Sequence, residues 1–322
     1  MGKLRVTCDE LAVEEKIKDC GMNLFKNSYP SPVTENIRRI FSILLTMNHL
    51  LLNSSTMLAF NQRLSKLIET KNSNLCVGLD MDIKAFKQDQ ISLSDLKKHS
   101  RKVIEATSDL AAAYKPNLAF FERWGSVGIE WLEKTMELFP QDTIIIGDAK
   151  RGDIGNTAQH YAHALFKHFG FDAVTINPYM GIDSIQPFIQ DKEKGVFILC
   201  RTSNPSASDL QDLKIGNIPL FIKTAELGVK LNQRNNVGLV VGATAPQEIS
   251  KVRTAAPRLP FLIPGIGAQA GNLRQSMEAG IVNGTVLINI SRGISFAGDM
   301  SFSQIRAAAK KFLEKMRLIN NG

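Results

Sequence analysis

Between Asp148 and Asp153 the chain reads "DAKRGD", placing Asp148, Lys150, Arg151 and Asp153 within six positions, directly after the apolar run Ile144–Ile145–Ile146–Gly147. Buried charges persist only when they are paired and hydrogen-bonded, so such a cluster at the end of a buried segment needs partners. Asp148 and Lys150 are two apart, which on a strand directs both side chains to one face. A second lysine, Lys115 in "AAAYKPN", stands at the end of another apolar run. Asp153 lies past the strand, where spacing alone does not set its direction. Any one of these pairs reads as an ion pair closing the end of a sheet. Four such groups, with glycines leaving room between them, point to a site. If proton transfer occurs there, a lysine is the better candidate donor, since no histidine stands at a strand end.

A phosphate handle is the second constellation. "PGIGAQAGN" around Gln269 exposes backbone N–H groups ahead of a helical segment, and Arg292, between Ser291 and Gly293, can grip phosphate oxygens in bidentate fashion. Taken singly, a glycine-rich turn and a strand-end arginine are ordinary features. Their joint position raises their meaning. His160, His163 and His168 fall together on one helical stretch without an evident carboxylate partner, and read as exposed or packing residues. H-E-x-x-H, G-x-S-x-G and G-x-x-x-x-G-K are all missing from the sequence.

These groups need a frame. From Leu75 onward, short β-rich runs alternate with helix-length amphipathic segments. The runs begin at Leu75, Ala111, Thr143, Ala173, Gly195, Val237, Phe261 and Thr285. Such alternation implies a parallel sheet, and near-continuous apolar strands imply burial on both faces. Eight units within residues 57–322 predict a (β/α)8 TIM barrel, a fold of typically about 250 residues. A doubly wound open sheet is the alternative, but "GLDMDIKAF" after the first run is not a dinucleotide-binding turn. In a barrel the active site lies at the C-terminal strand ends. There stand Asp80, Lys115 with Asn117, Asp148 with Lys150, Arg201 to Ser203, Gln269 and Arg292.

Residues 1–56 read as an N-terminal extension outside the barrel. "IRRIFSILLTMNHLLLN" (37–53) is too short and too interrupted for a membrane span, and an amphipathic surface helix suits it better. The net charge of +8 favours acidic partners such as phosphorylated small molecules, while the sequence lacks the dense basic and aromatic run of a nucleic-acid surface. Cys8, Cys20, Cys76 and Cys200 have no C-x-x-C spacing and fit a reducing, cytoplasmic setting.

Seven segments, "LCVGLD", "YKPNLAFFERWGSVG", "DAKRGDIGNTA", "RTSNPSA", "VVGAT", "PGIGAQAG" and "LINISRGI", occur in one order. Together they resemble the orotidine 5′-phosphate decarboxylase family, in its longer-chain branch, over roughly Met57 to the C-terminus. D-x-K-x-x-D alone is shared with related sugar-phosphate barrels. The resemblance implies decarboxylation of orotidine 5′-phosphate to UMP and CO2, no cofactor or metal, and a homodimer with shared active sites. It implies a charged array of Lys150, Asp148 and Lys115, with Asp153, Ile154 and Thr157 reaching into the partner's site. Asp80 and Asn117 would bind the ribose region, Ser203 the pyrimidine, and Gln269 and Arg292 the phosphate. "SNPSASDLQDLKIGN" is the candidate lid. Two rivals stay open: a metal-dependent sugar-phosphate decarboxylase or isomerase with Asp148 as a ligand, and a non-catalytic nucleotide-binding barrel.

Overall fold

The computed structural model describes residues 58–86, 90–243, 246–266 and 271–321. The expected extension (1–56) and Gln269 lie outside the described residues.

Eight parallel strands close into a barrel: β1 (Leu75–Leu79), β2 (Ala113–Pro116), β3 (Ile144–Arg151), β4 (Ala173–Ile176), β5 (Gly195–Arg201), β6 (Val237–Val241), β7 (Phe261–Pro264) and β8 (Val286–Ile290). Each pairs with the next in sequence, and β8 closes onto β1 through Leu75 opposite Ile288. All eight expected strands are present at the expected places. The longer helices are α1 (Phe60–Lys71), α2 (Leu93–Thr107), α3 (Ser126–Met136), α4 (Gly155–His163), α5 (Leu220–Leu231), α6 (Pro246–Ala255), α7 (Leu273–Ile281) and α8 (Phe302–Asn320).

Two apolar layers hold this frame. The outer one packs the helices on the outward strand faces, with Leu79, Phe121, Trp131, Phe171, Leu239 and Ile288 fully or almost fully buried. The inner one fills the barrel with Ile144, Ile146, Phe197, Leu262 and Leu287, joined by Phe60 and Leu64 of α1. The barrel is therefore a packed core, as its geometry requires.

α1 closes the N-terminal end. Phe60 meets Phe197 edge-on at 6.0 Å, and the Asn61 amide donates to the Val237 carbonyl at the start of β6 (3.1 Å). Gly195, the first residue of β5, leaves the space Phe60 occupies: a Cβ there would lie 2.3 Å from the ring. The sequence predicts a helix from Met57, but its role as a plug emerges only from the packing. With that end sealed by hydrocarbon, the C-terminal mouth is the open one.

Candidate active site

β3 delivers the central carboxylate. Its three isoleucines anchor it in the barrel, and Gly147 passes so close to Phe171 that a Cβ would come within 2.7 Å of the ring. The pairing then slips: Gly147 lies opposite Val174, but Arg151 lies opposite Ile176, so β3 gains two residues on β4. Within this bulge Lys150 takes a left-handed backbone, φ 49°. Bulges re-aim side chains near active sites, and non-glycine residues at positive φ persist only where the surroundings enforce them. Thus Asp148 and Lys150 do converge, but through a bulge rather than through the regular pleat that their spacing suggests.

Asp148 is 8% exposed and Lys115 only 4%. Lys115 Nζ pairs with Asp148 Oδ2, and Lys150 Nζ pairs with Oδ1. Thr175 Oγ1 also donates to Oδ1, at 3.0 Å. Burial by itself would push the Asp148 carboxyl up. The neighbouring charges of Lys115 and Lys150 and their hydrogen bonds outweigh it, holding the group well below the usual carboxylate range. Lys115 is the mirror case: burial opposes its charge, but Asp148 and then Asp80 raise it above the ordinary lysine value. The Lys150 side chain is 49% exposed, so of the two ammonium groups it is the one open to the mouth.

The array forms one wall of a cavity of about 400 Å³. Asp80, after β1, lines it and keeps a buried Oδ1 that accepts no hydrogen bond among the described residues, an acceptor suited to a ligand hydroxyl. Ser203, after β5, and Arg292, after β8, also line it. Gly242 lets Ser203 approach, since a Cβ at Gly242 would lie 2.8 Å from the serine Cβ. Leu199, Val240, Leu262 and Ile266 provide an apolar floor and wall. The expected lid segment has its own structure, with a short helix Ser208–Gln211 and a hairpin of Lys214–Ile215 with Ile218–Pro219. Gln211 ties it to the cavity edge, accepting from Thr202 N–H (2.9 Å) and donating to Thr202 Oγ1 (2.7 Å).

Other expected residues stand elsewhere. Asn117 caps the short helix Leu118–Glu122, its Oδ1 accepting from Ala119 N–H at 3.3 Å, and is not among the residues lining the cavity. The spacing did not show that the following residues would recruit this side chain as a cap. Asp153, Ile154 and Thr157 lie at the start of α4 outside the cavity lining, and Ile154 is 57% exposed. Conversely, Thr175 and Asn289 line the cavity without having been expected there. Asn289 left a signal, being a polar residue inside the apolar run "VLINI". Thr175 left none, since threonine is an ordinary strand former.

A family model described as "Orotidine 5'-phosphate decarboxylase / HUMPS family" matches residues 73–305. The chain belongs to this family. The match takes in all eight strands and ends beyond Arg292. Among relatives in the orotidine 5′-phosphate decarboxylase / HUMPS family, the orotidine 5′-phosphate decarboxylase of Herpetosiphon aurantiacus is 43% identical over 267 residues, covering 81% of this chain and 99% of its own. That of Halorubrum lacusprofundi is 45% identical over 254 residues, covering 76% and 90%. Of solved structures, the OMP decarboxylase of Leishmania donovani is 41% identical with a TM-score of 0.73, covering 82% of this chain and 100% of that one.

Proposed function

We propose that this protein decarboxylates orotidine 5′-phosphate to UMP and CO2, the closing step of pyrimidine nucleotide synthesis, with no metal or cofactor. The observation that carries this reading is the buried carboxylate of Asp148 held between two ammonium groups that both line the cavity, of which Lys150 is the more exposed. Departure of CO2 leaves its electron pair on C6, in the ring plane, where no adjacent π system delocalises it. Lys150 stabilises that anion as it forms and donates the proton that makes the C6–H bond; solvent then reprotonates the amine. Preorganised charge of this kind acts strongly in a dry site because nothing has to reorient during the step. Asp148, itself paired with Lys115, holds the Lys150 ammonium in place.

Arg292 and Gln269 hold the phosphate, Ser203 the pyrimidine, and Asp80 the ribose region. Binding energy gathered on the phosphate is then available for orienting the reacting carbon. A homodimer completes each site with Asp153, Ile154 and Thr157 of the partner subunit. An apolar surface beside these residues supports the dimer: Tyr179 is 81% exposed and Met180 52%, on a loop joined to β3 through the Asn177 N–H to Arg151 carbonyl bond (2.8 Å). Among the described residues no helix is long and apolar enough to cross a membrane.

The metal-dependent rival meets a physical obstacle. Both oxygens of Asp148 already accept from ammonium groups, and two cations beside it repel a third. The non-catalytic rival leaves the buried array without a purpose. The test is the absorbance change on loss of orotidylate with purified full-length protein in chelator-treated buffer. Turnover undiminished by the chelator is expected. No turnover, or turnover only with added Mg²⁺, overturns the reading.

A further inference from the structure

We infer that Thr175 is a positioning residue that holds Lys150 in its proton-donating conformation by bridging the Lys150 backbone and the Asp148 carboxylate. This rests on the decarboxylase reading above.

The argument starts from the bulge. Where β3 slips against β4, the regular ladder fails between the Gly147–Val174 and Arg151–Ile176 pairs. Thr175 is the β4 residue that faces the gap, and it is 1% exposed. A backbone N–H that loses its ladder partner needs another acceptor. Thr175 Oγ1 supplies it, accepting from Lys150 N–H at 3.1 Å while donating its own proton to Asp148 Oδ1 at 3.0 Å. One hydroxyl thus pins both ends of the Asp148–Lys150 pair: the backbone of the lysine, at φ 49°, and the oxygen to which its ammonium is bound. The half-exposed Lys150 stem has many rotamers. Fixing its root and its charge partner together narrows where Nζ can sit, and misplacement of a reacting group by even about 1 Å costs on the order of 100-fold in rate. Valine fits the same space and fails on both counts, leaving the Lys150 N–H without this acceptor and Asp148 Oδ1 with one donor fewer. Serine keeps the hydroxyl.

The experiment compares wild type, Thr175→Val and Thr175→Ser in kcat and KM for orotidine 5′-phosphate, with melting temperatures alongside. Thr175→Val is expected to lose roughly 10- to 100-fold in kcat, the range for a hydrogen bond to a charged group, with KM within about threefold. Thr175→Ser is expected to stay within about threefold of wild type in kcat. A Thr175→Val enzyme with wild-type kcat overturns the inference. So does a serine variant that falls as far as valine, or a loss confined to KM, since packing or binding would then be the role. Should the valine variant not fold, the serine variant decides: retained kcat supports the hydroxyl, and a drop of about tenfold or more rejects it. An inactive wild type removes this inference and the decarboxylase reading together; an active wild type with an unaffected Thr175→Val removes this inference alone.

Discussion

The two ends of this barrel are built on opposite principles. At the N-terminal end α1 lays Phe60 and Leu64 into the strand openings, and Gly195 gives up its side chain to let Phe60 in. At the C-terminal end the same strands finish in Asp80, Lys115, Asp148 and Lys150, one of them on a left-handed backbone and one with an orphaned buried oxygen. The first end gains stability from hydrocarbon burial. The second places like and unlike charges where burial alone would oppose them, and is held together by their pairing. Stability and chemistry are thus assigned to separate ends of one sheet, so substitutions at each end should fail in different ways.

The largest effect is expected where the two principles overlap. Asp148→Ala leaves the buried Lys115 ammonium without its hydrogen-bonded carboxylate, and should cost about 3–5 kcal/mol of stability together with at least ~10³-fold in kcat. Denaturant melts and steady-state rates read the two losses; a stable variant with normal rates would erase the distinction between the ends. Phe60→Ala is the pure N-terminal case. A loss of about 3–5 kcal/mol is expected, with kcat per folded molecule unchanged. Arg292→Ala is the pure C-terminal case: the side chain is exposed, so melting should hold while KM for orotidine 5′-phosphate rises by roughly 10- to 100-fold.

A pH profile sharpens the contrast. The Asp148 carboxyl is held below its ordinary value, so its contribution to stability is present above about pH 4 and is lost as pH falls through its lower folded value. Lys115 is raised, so its contribution is full below about pH 10.4 and is lost only as pH climbs through its higher folded value. Between these limits the pair contributes a flat plateau to the denaturation midpoint; a Lys115→Met variant should lose the alkaline limb. The smallest effect is expected from removing residues 1–56. A chain beginning at Met57 should keep kcat within about twofold, since no proposed site residue precedes Asp80. Loss of solubility or activity would give that segment a part in the fold.

Much of this division is legible in the residues. Apolar runs ending in charge, repeated with helix-length spacers, mark both the barrel and its working end. Four things are not. Thr175 matters because of a slip in pairing, and pairing register is a property of two strands rather than of either one. Asn117 carries a polar side chain at a strand end, yet the turn after it recruits that side chain as a helix cap. The sealing role of α1 depends on a glycine more than a hundred residues away. The three donors that meet on Asp148 come from β2, β3 and β4, and no single segment contains that fact.

The central claim is that Lys150 is the group that meets the charge left on C6. Its most direct test is Lys150→Ala, measured in one preparation for both orotidine 5′-phosphate turnover and UMP binding in chelator-treated buffer. The account expects UMP to bind within about tenfold of wild type while turnover falls by ~10³-fold or more. Turnover close to wild type, with binding intact, would contradict it.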